Sequence, residues 1–460
     1  MADLGLDFLL RHVGAHTLPY RPSPRLRFTS ITNDSRTVQP GALFLAIAAE
    51  RDGHEFIADA RARGAVGVLA SRIVPLDDWL PEDERASFAY VAVDNPVAGL
   101  QRVAAAHREA LEVGVIGVVG SVGKTTTKEV LAQVLRRRFK LLASWGNFNN
   151  EIGLPIVLLE LTDEHERAIL EMGAYKVGEI AELCRIAQPQ VGVVTTIGPT
   201  HLESFGSLDA TEEAKGEIVE ALPETGLAVL NGDDERVSRI ALRASCPVAW
   251  YGVGERNLIR ATAIETRGLE GIAFTLLYPG GSLRIESPLI GRHSVYPCLA
   301  AAAVATADEM PEAEIASALA EPPARLRLRP LPGRNGSTIL DDSYNAAPIS
   351  AAAALDVLSE HGRRRVAVLG DMLELGEVEE EAHRTVGRRV AAAADVLYAV
   401  GRRARLIGEE AERAGLGEVH YADDALSVGY EPRPGDLVLV KGSRGMRLER
   451  LVQKLVEPGA

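Results

Sequence analysis

Apolar residues fall along this chain in two rhythms, and their alternation sketches a fold. Short unbroken apolar runs at 114–119, 168–170, 190–197 and 227–230 predict strands, because a strand covered on both faces needs no polar side. Between them apolar positions recur every three or four residues, as on helices with one buried face. Strands of that kind wound with helices make a parallel sheet, so an α/β domain is expected here. Residues 259–265, 272–278 and 282–285 instead form short alternating segments, predicting antiparallel strands on the edge of that sheet. An alanine-rich helix is expected after Tyr296, and Pro322 and Pro323 mark a hinge. Beyond it, apolar runs at 338–340, 365–369, 396–400, 419–422 and 437–440 each precede a helical pattern. That repetition predicts a second doubly wound, Rossmann-like domain. Ahead of residue 110, runs at 42–48 and 65–70 and a helical stretch at 96–112 predict a smaller α/β domain.

Length supports this partition, since 460 residues exceed what one hydrophobic core holds. We expect three domains, at 1–110, 111–321 and 322–460. A formal net charge of -14 argues against nucleic acid or an anionic membrane as the main partner, because phosphate backbones demand a basic surface. The three cysteines, Cys184, Cys246 and Cys298, show no CxxC spacing, which suits a reducing compartment better than a zinc site or a disulfide framework. Residues 1–16 lack a basic stretch and a cleavage site, and no apolar run approaches membrane-spanning length. We therefore expect a cytoplasmic protein without membrane insertion, and a monomer.

The strongest chemical signal follows the strand expected at 115–119, where the chain reads Gly120-Ser121-Val122-Gly123-Lys124-Thr125-Thr126-Thr127 before a helix expected to begin near Lys128. Glycines let backbone amides turn onto phosphate oxygens, and the helix N-terminus adds its positive dipole. Lys124 then meets the β and γ phosphates and the Thr125 hydroxyl holds Mg²⁺. ATP is thus expected over Val119, Gly120, Ser121, Val122, Gly123, Lys124, Thr125 and Thr126. The loop is shorter than GxxxxGK[ST], and a glycine-rich turn with a chance lysine is the competing reading. Two more strands end in polar groups, Glu171 after 168–170 and His201 after 191–197. A carboxylate and an imidazole at strand ends beside a phosphate loop can serve Mg²⁺. A solvated strand terminus and a structural histidine are the alternatives.

Taken together, GSVGKTTTKE, Gly146-Asn147-Phe148-Asn149-Asn150-Glu151-Ile152-Gly153-Leu154-Pro155, Glu171-Met172-Gly173-Ala174, His201-Leu202-Glu203-Ser204-Phe205-Gly206-Ser207 and Lys215-Gly216-Glu217-Ile218 resemble the Mur ligases. Within that family the set is most similar to the branch that adds D-alanyl-D-alanine. Upstream, Asn33-Asp34-Ser35-Arg36 and Asp52-Gly53-His54 look like the family's domain for a UDP-sugar; downstream, Asp341-Asp342-Ser343-Tyr344-Asn345, Gly370-Asp371-Met372-Leu373-Glu374 and Lys441-Gly442-Ser443-Arg444 look like its C-terminal domain.

The resemblance implies that ATP phosphorylates the terminal carboxylate of UDP-MurNAc-tripeptide and that the amine of D-alanyl-D-alanine attacks the acyl phosphate, a step of peptidoglycan precursor synthesis. It implies two Mg²⁺ ions served by Thr125, Glu171, His201 and Lys215, the last carbamylated by CO₂. On the residues alone, Lys215 among Glu212, Glu213 and Glu217 reads as a surface ion-pair lysine. Asp342 matches the family's ribose-binding aspartate, with a turn-forming Asp as the alternative, and His293 falls in the adenine motif. Arg325 or Arg334 matches the linker arginine of the nucleotide site. Ser35, Arg36, Asn149, Asn150, Asp371, Lys441, Ser443 and Arg444 match substrate-binding positions, and Asp371 and Glu374 lie in a loop that would close near the incoming amine, with a solvated acidic loop as the alternative.

The chain also departs from the pattern. The family's GxHNxxN, whose asparagines read adenine, stands here as Gly291-Arg292-His293-Ser294-Val295-Tyr296-Pro297, and Tyr175 and Thr196 replace commoner asparagines. A diaminopimelate-adding Mur ligase is the nearest alternative, but its DNPR signature is absent. Folylpolyglutamate synthase shares the loop without the DSR-containing first domain. A kinase or ATP-driven switch would hydrolyse ATP without incorporating an amine.

Overall fold

The computed structural model describes residues 4–324 and 327–457. It divides into two compact units, one comprising the chain up to Gly117 with Phe139–Gly173 and Glu179–Gln190, the other Val118–Arg138, Ala174–Gly178 and the chain from Val191.

In the first unit, Ser30–Thr32, Ala42–Ala46, Gly67–Ala70 and Ala89–Ala92 pair in that order as a parallel sheet. Phe44, Val68 and Tyr90 from three of these strands pack with Ile57 and Phe88 in one core. Helix Pro96–Glu109 follows, with Pro96 in its first turn and Asn95 accepting a hydrogen bond from Ala98 N, an N-cap that satisfies a backbone donor the helix cannot. The same unit holds the parallel pair Leu141–Ala143 and Arg167–Glu171, the first of which sequence patterning missed because it is only three residues long.

In the second unit, Val191–Val194, Leu227–Asn231, Val248–Gly252 and Ile259–Thr266 run parallel in sequence order. Ile272–Tyr278 and Gly281–Ser287 then add antiparallel, as their alternation predicts. Helix Val295–Ala307 carries the alanines and is buried almost all round.

A six-stranded sheet follows the paired prolines, in the order Arg329–Gly333, Ser337–Asp342, Leu437–Lys441, Arg365–Gly370, Val396–Val400, Val419–Ala422. Only its first pair is antiparallel. Its side chains alternate between two cores. Leu340, Ala367, Leu369, Leu397 and Leu439 face one, and Ile339, Val366, Val368, Val438 and Val440 face the other. This is the double burial that the unbroken apolar runs predict. Its strands deliver Asp342, Lys441 and Gly370 to one edge, the carboxyl edge where ligands of such sheets collect.

Candidate active site

The helix after the phosphate loop spans Lys124–Leu135, so it begins four residues earlier than the sequence suggests. Its first turn is Lys124-Thr125-Thr126-Thr127, a polar stretch without an apolar face, and polarity disguised a helix start as loop. Gly123 caps it at φ 88°, a left-handed conformation open to glycine. Gly120 has φ 142°, and a Cβ there would land on the Thr195 hydroxyl. Neither position accepts a side chain, which leaves the backbone amides free to approach an anion. Lys124 Nζ folds back over the loop, donating to Gly120 O at 2.7 Å and Ser121 O at 3.2 Å.

Thr195, Asn231 and Asp234, which no sequence motif marked, help hold this loop in shape. Thr195 Oγ1 donates to Val122 O at 2.6 Å, and Ser121 Oγ donates to Gly198 O at 3.0 Å. Asn231 Nδ2 donates to Thr195 O at 2.8 Å, while the Asp234 carboxylate accepts from Thr196 Oγ1 at 2.5 Å and Ile197 N at 2.9 Å. Thr196 therefore braces the turn toward His201. Hydroxyl and amide residues directly after two strands, Thr195-Thr196 and Asn231, were the available signal.

His201 stands at the head of the short helix Leu202–Phe205 in left-handed backbone, φ 54°. The ring of Tyr175 lies edge-on at 4.6 Å, and His201 Nδ1 is bonded to Glu374. Burial lowers the His201 pKa; the Glu374 carboxylate opposes this, and the charges of Lys124 and Lys215 add to it. Those two lysines and His201 are thus electrostatic neighbours. Lys215, on helix Leu208–Glu220, is only 2% exposed, with Nζ 5.3 Å from the centre of the Phe205 ring. It is not the surface lysine its acidic neighbours suggest.

In the other unit, Glu171 is buried and braced, with Oε1 accepting from Asn149 Nδ2 at 2.9 Å and its own N–H donating to Ser144 Oγ at 3.0 Å. Asn150 Oδ1 caps helix Gly153–Leu158 through Gly153 N at 2.8 Å. Ser35 is buried in a one-turn helix, and the exposed Arg36 forks onto Asp34 at 2.8 and 2.7 Å.

On the C-terminal sheet, Asp342 and Lys441 are register partners, and Lys441 Nζ donates to Asp342 Oδ2 at 2.5 Å and Asn345 O at 2.9 Å. Lys441, expected to face substrate, is buried in this pair. His293 lies exposed in the one-turn helix Arg292–Ser294, its pKa lowered by desolvation of the ring despite the Asp342 charge. Ser443 accepts from Leu373 N at 2.9 Å, and Asp371 Oδ1 accepts from Arg403 N and Ala404 N at 2.9 and 2.7 Å, so both side chains tie loops together. Arg444 keeps an exposed side chain, 5.1 Å from the Tyr344 ring. Arg325 lies outside the described residues. Arg334 donates to Val456 O, whereas Arg327, which no sequence motif marks, stacks on Tyr344 at 3.7 Å and reaches Thr125 Oγ1 at 3.4 Å. In the segment expected to read adenine, Ser294 Oγ donates to Ile290 O at 2.7 Å, Pro297 is buried within the helix, and Tyr296 OH donates to Asp233 at 3.1 Å. Burial pushes the Tyr296 phenol up to about 12.

A phosphate loop at the head of a helix, cations around it and a second doubly wound domain define the class, an ATP-using α/β enzyme. Three family models match the chain: Mur ligase family, catalytic domain, over 27–108; Mur ligase middle domain over 118–305; and Mur ligase, glutamate ligase domain, over 325–444. The chain is 37% identical to UDP-N-acetylmuramoyl-tripeptide--D-alanyl-D-alanine ligase of Escherichia coli (strain K12), over 94% of each chain. A crystal structure of MurF from Acinetobacter baumannii superposes with a TM-score of 0.85 at 30% identity over 99% of each chain. MurF from Thermotoga maritima in complex with ADP gives 0.77 at 27% identity, over 92% of this chain and 96% of that one. The chain belongs to the Mur ligase family, with its three-domain α/β architecture. It is an ATP-dependent ligase of peptidoglycan synthesis. No helix among the described residues is long and apolar enough to cross a membrane.

Proposed function

We propose that this ligase works in the cytoplasm, joining the amine of D-alanyl-D-alanine to the terminal carboxylate of UDP-MurNAc-tripeptide through an acyl phosphate. The observation that carries the reading is the strand-end loop of Gly120 to Thr125 with Lys124 folded over it and the buried Lys215 and His201 as electrostatic neighbours. A carboxylate is a poor electrophile. Its oxygen takes the γ-phosphoryl group, ADP leaves, the amine nitrogen then bonds to the acyl carbon, and phosphate departs with the carboxylate oxygen while the ammonium gives up a proton. Two anions meet in the first step, so positive charge at the loop lowers its barrier. Lys124 and the loop amides bind and orient the phosphates.

A Thr hydroxyl and a carboxylate are oxygen donors of the kind Mg²⁺ takes, and an imidazole can serve it through a bound water. Among the described residues no three His, Cys, Asp or Glu side chains form a metal cluster. Mg²⁺ suits that setting, since it keeps several waters and takes few protein ligands beside substrate phosphates. Thr125, Glu171, His201 and carbamylated Lys215 would hold two such ions, which neutralise phosphoryl charge. The carbamate forms when the Lys215 nitrogen bonds to CO₂ and loses a proton, and burial shields it from water. Arg444 is the exposed cation for the carboxylate of D-alanyl-D-alanine, and Ser35 and Arg36 serve the UDP-sugar.

Mass spectrometry of the product from enzyme, ATP, Mg²⁺, D-alanyl-D-alanine and UDP-MurNAc-tripeptide tests this reading. A mass gain equal to the dipeptide minus water is expected with wild type and not with Lys124→Ala. ATP hydrolysis or a phosphorylated product without amine incorporation would sink it.

A further inference from the structure

The loop around Glu374 follows the paired prolines in sequence, yet it is fastened to the turn after strand Val191–Val194 at three points. Glu374 O accepts a hydrogen bond from Glu203 N at 3.2 Å. Gly376, φ 58°, passes so close that a Cβ would come within 3.3 Å of Glu203 N. The third point is the bond between Glu374 Oε2 and His201 Nδ1. Both side chains project from left-handed backbone, φ 54° at His201 and φ 64° at Glu374. Such strain persists where surrounding structure over-determines it, and it gathers at functional sites.

An ionised carboxylate can only accept, so Nδ1 carries a proton, and in the neutral ring Nε2 then keeps its lone pair bare. The edge-on Tyr175 ring restricts how the imidazole turns. We propose that Glu374 is a positioning residue acting through His201. It selects the Nδ1–H tautomer and aims the bare Nε2, and it does so only while its loop is docked. Neutral imidazole in water favours the opposite tautomer, so the docked loop supplies the selection. Carboxylate activation at His201 is thereby made conditional on the domain that carries Arg444. The kinetic consequence rests on the reading of His201 given above; the tautomer does not.

The test uses the full chain labelled with ¹⁵N-histidine at about pH 8, above the ordinary imidazole range. Long-range ¹H–¹⁵N NMR separates bare from protonated ring nitrogens, and His201→Gln assigns the resonance. Wild type is expected to show Nδ1–H with Nε2 bare. Glu374→Ala moves His201 toward Nε2–H, and Glu374→Gln, whose carbonyl still accepts, restores the wild-type form. Amide formation falls roughly 10- to 100-fold in Glu374→Ala, with KM for ATP changed less than about twofold, and recovers in Glu374→Gln. An unchanged tautomer in Glu374→Ala overturns the proposal. So does activity as low in Glu374→Gln as in Glu374→Ala while the tautomer is restored. If wild type forms no amide product yet the tautomer responds as expected, the reading of the reaction fails and the positioning role stands.

Discussion

Lys441→Met isolates the buried ion pair at the carboxyl edge of the C-terminal sheet. The two side chains are 2% and 10% exposed, and Lys441 Nζ reaches Asp342 Oδ2 at 2.5 Å. Methionine fills the aliphatic volume, so little cavity is left, but the Asp342 charge loses its partner and Asn345 O loses a donor. Removing one member of a buried pair typically destabilises by about 3–5 kcal/mol, because the remaining charge is stranded. For a domain of this size about 4 °C of unfolding temperature corresponds to 1 kcal/mol, so a fall of roughly 12–20 °C is expected. Scanning calorimetry of wild type, Lys441→Met, Asp342→Asn and the double variant measures it. The double variant should recover about 2–3 kcal/mol relative to the sum of the singles. A loss below about 1 kcal/mol in Lys441→Met, within the range of exposed pairs, would refute the reasoning.

Three further expectations follow from single side chains. Lys215→Ala should reduce amide formation by at least about 100-fold, with partial rescue by formate, and ¹³C-bicarbonate should give a carbamate NMR signal in wild type alone; the carbamate role is lost if that signal persists in the variant. Ser294→Ala removes the bond to Ile290 O and should cost about 1 kcal/mol of stability without changing KM for ATP, whereas a raised KM would place the hydroxyl on the base. The Asp52 carboxyl is held well below its usual range, chiefly by Arg72 and then by the His54 amide. Its stabilisation is present above the unfolded value of about 4 and is lost as pH falls through the lower folded value. The gap in unfolding temperature between wild type and Asp52→Asn should narrow on acidification, and a gap constant from about pH 6 to about pH 3 would contradict this.

The sequence announces what depends on pattern. The run 396–400 is a strand with those limits, since a strand buried on both faces has no polar residue to blur its ends, and 419–422 keeps its limits as the sheet's exposed edge strand. Of the alternating segments after 255, 272–278 and 282–285 lie in antiparallel strands, whereas 259–265 pairs parallel on one side and antiparallel on the other. What depends on local chemistry was harder to read. Lys124 to Thr127 look like loop because the first turn of the helix they open is polar throughout. Lys215 looks exposed because its neighbours in sequence are acidic, although the helix face it occupies is buried. Arg327, Tyr344 and Glu374 act through partners distant in sequence, namely Thr125 and His201, and no periodicity encodes such pairings.

Transfer of isotope tests the central claim most directly. UDP-MurNAc-tripeptide labelled with ¹⁸O in its terminal carboxylate is incubated with enzyme, ATP, Mg²⁺ and D-alanyl-D-alanine, and the inorganic phosphate is analysed by mass spectrometry. If the strand-end loop transfers the γ-phosphoryl group to that carboxylate, the phosphate released carries one ¹⁸O from it. Unlabelled phosphate beside a labelled AMP, or amide formed with no label in phosphate, would contradict the account.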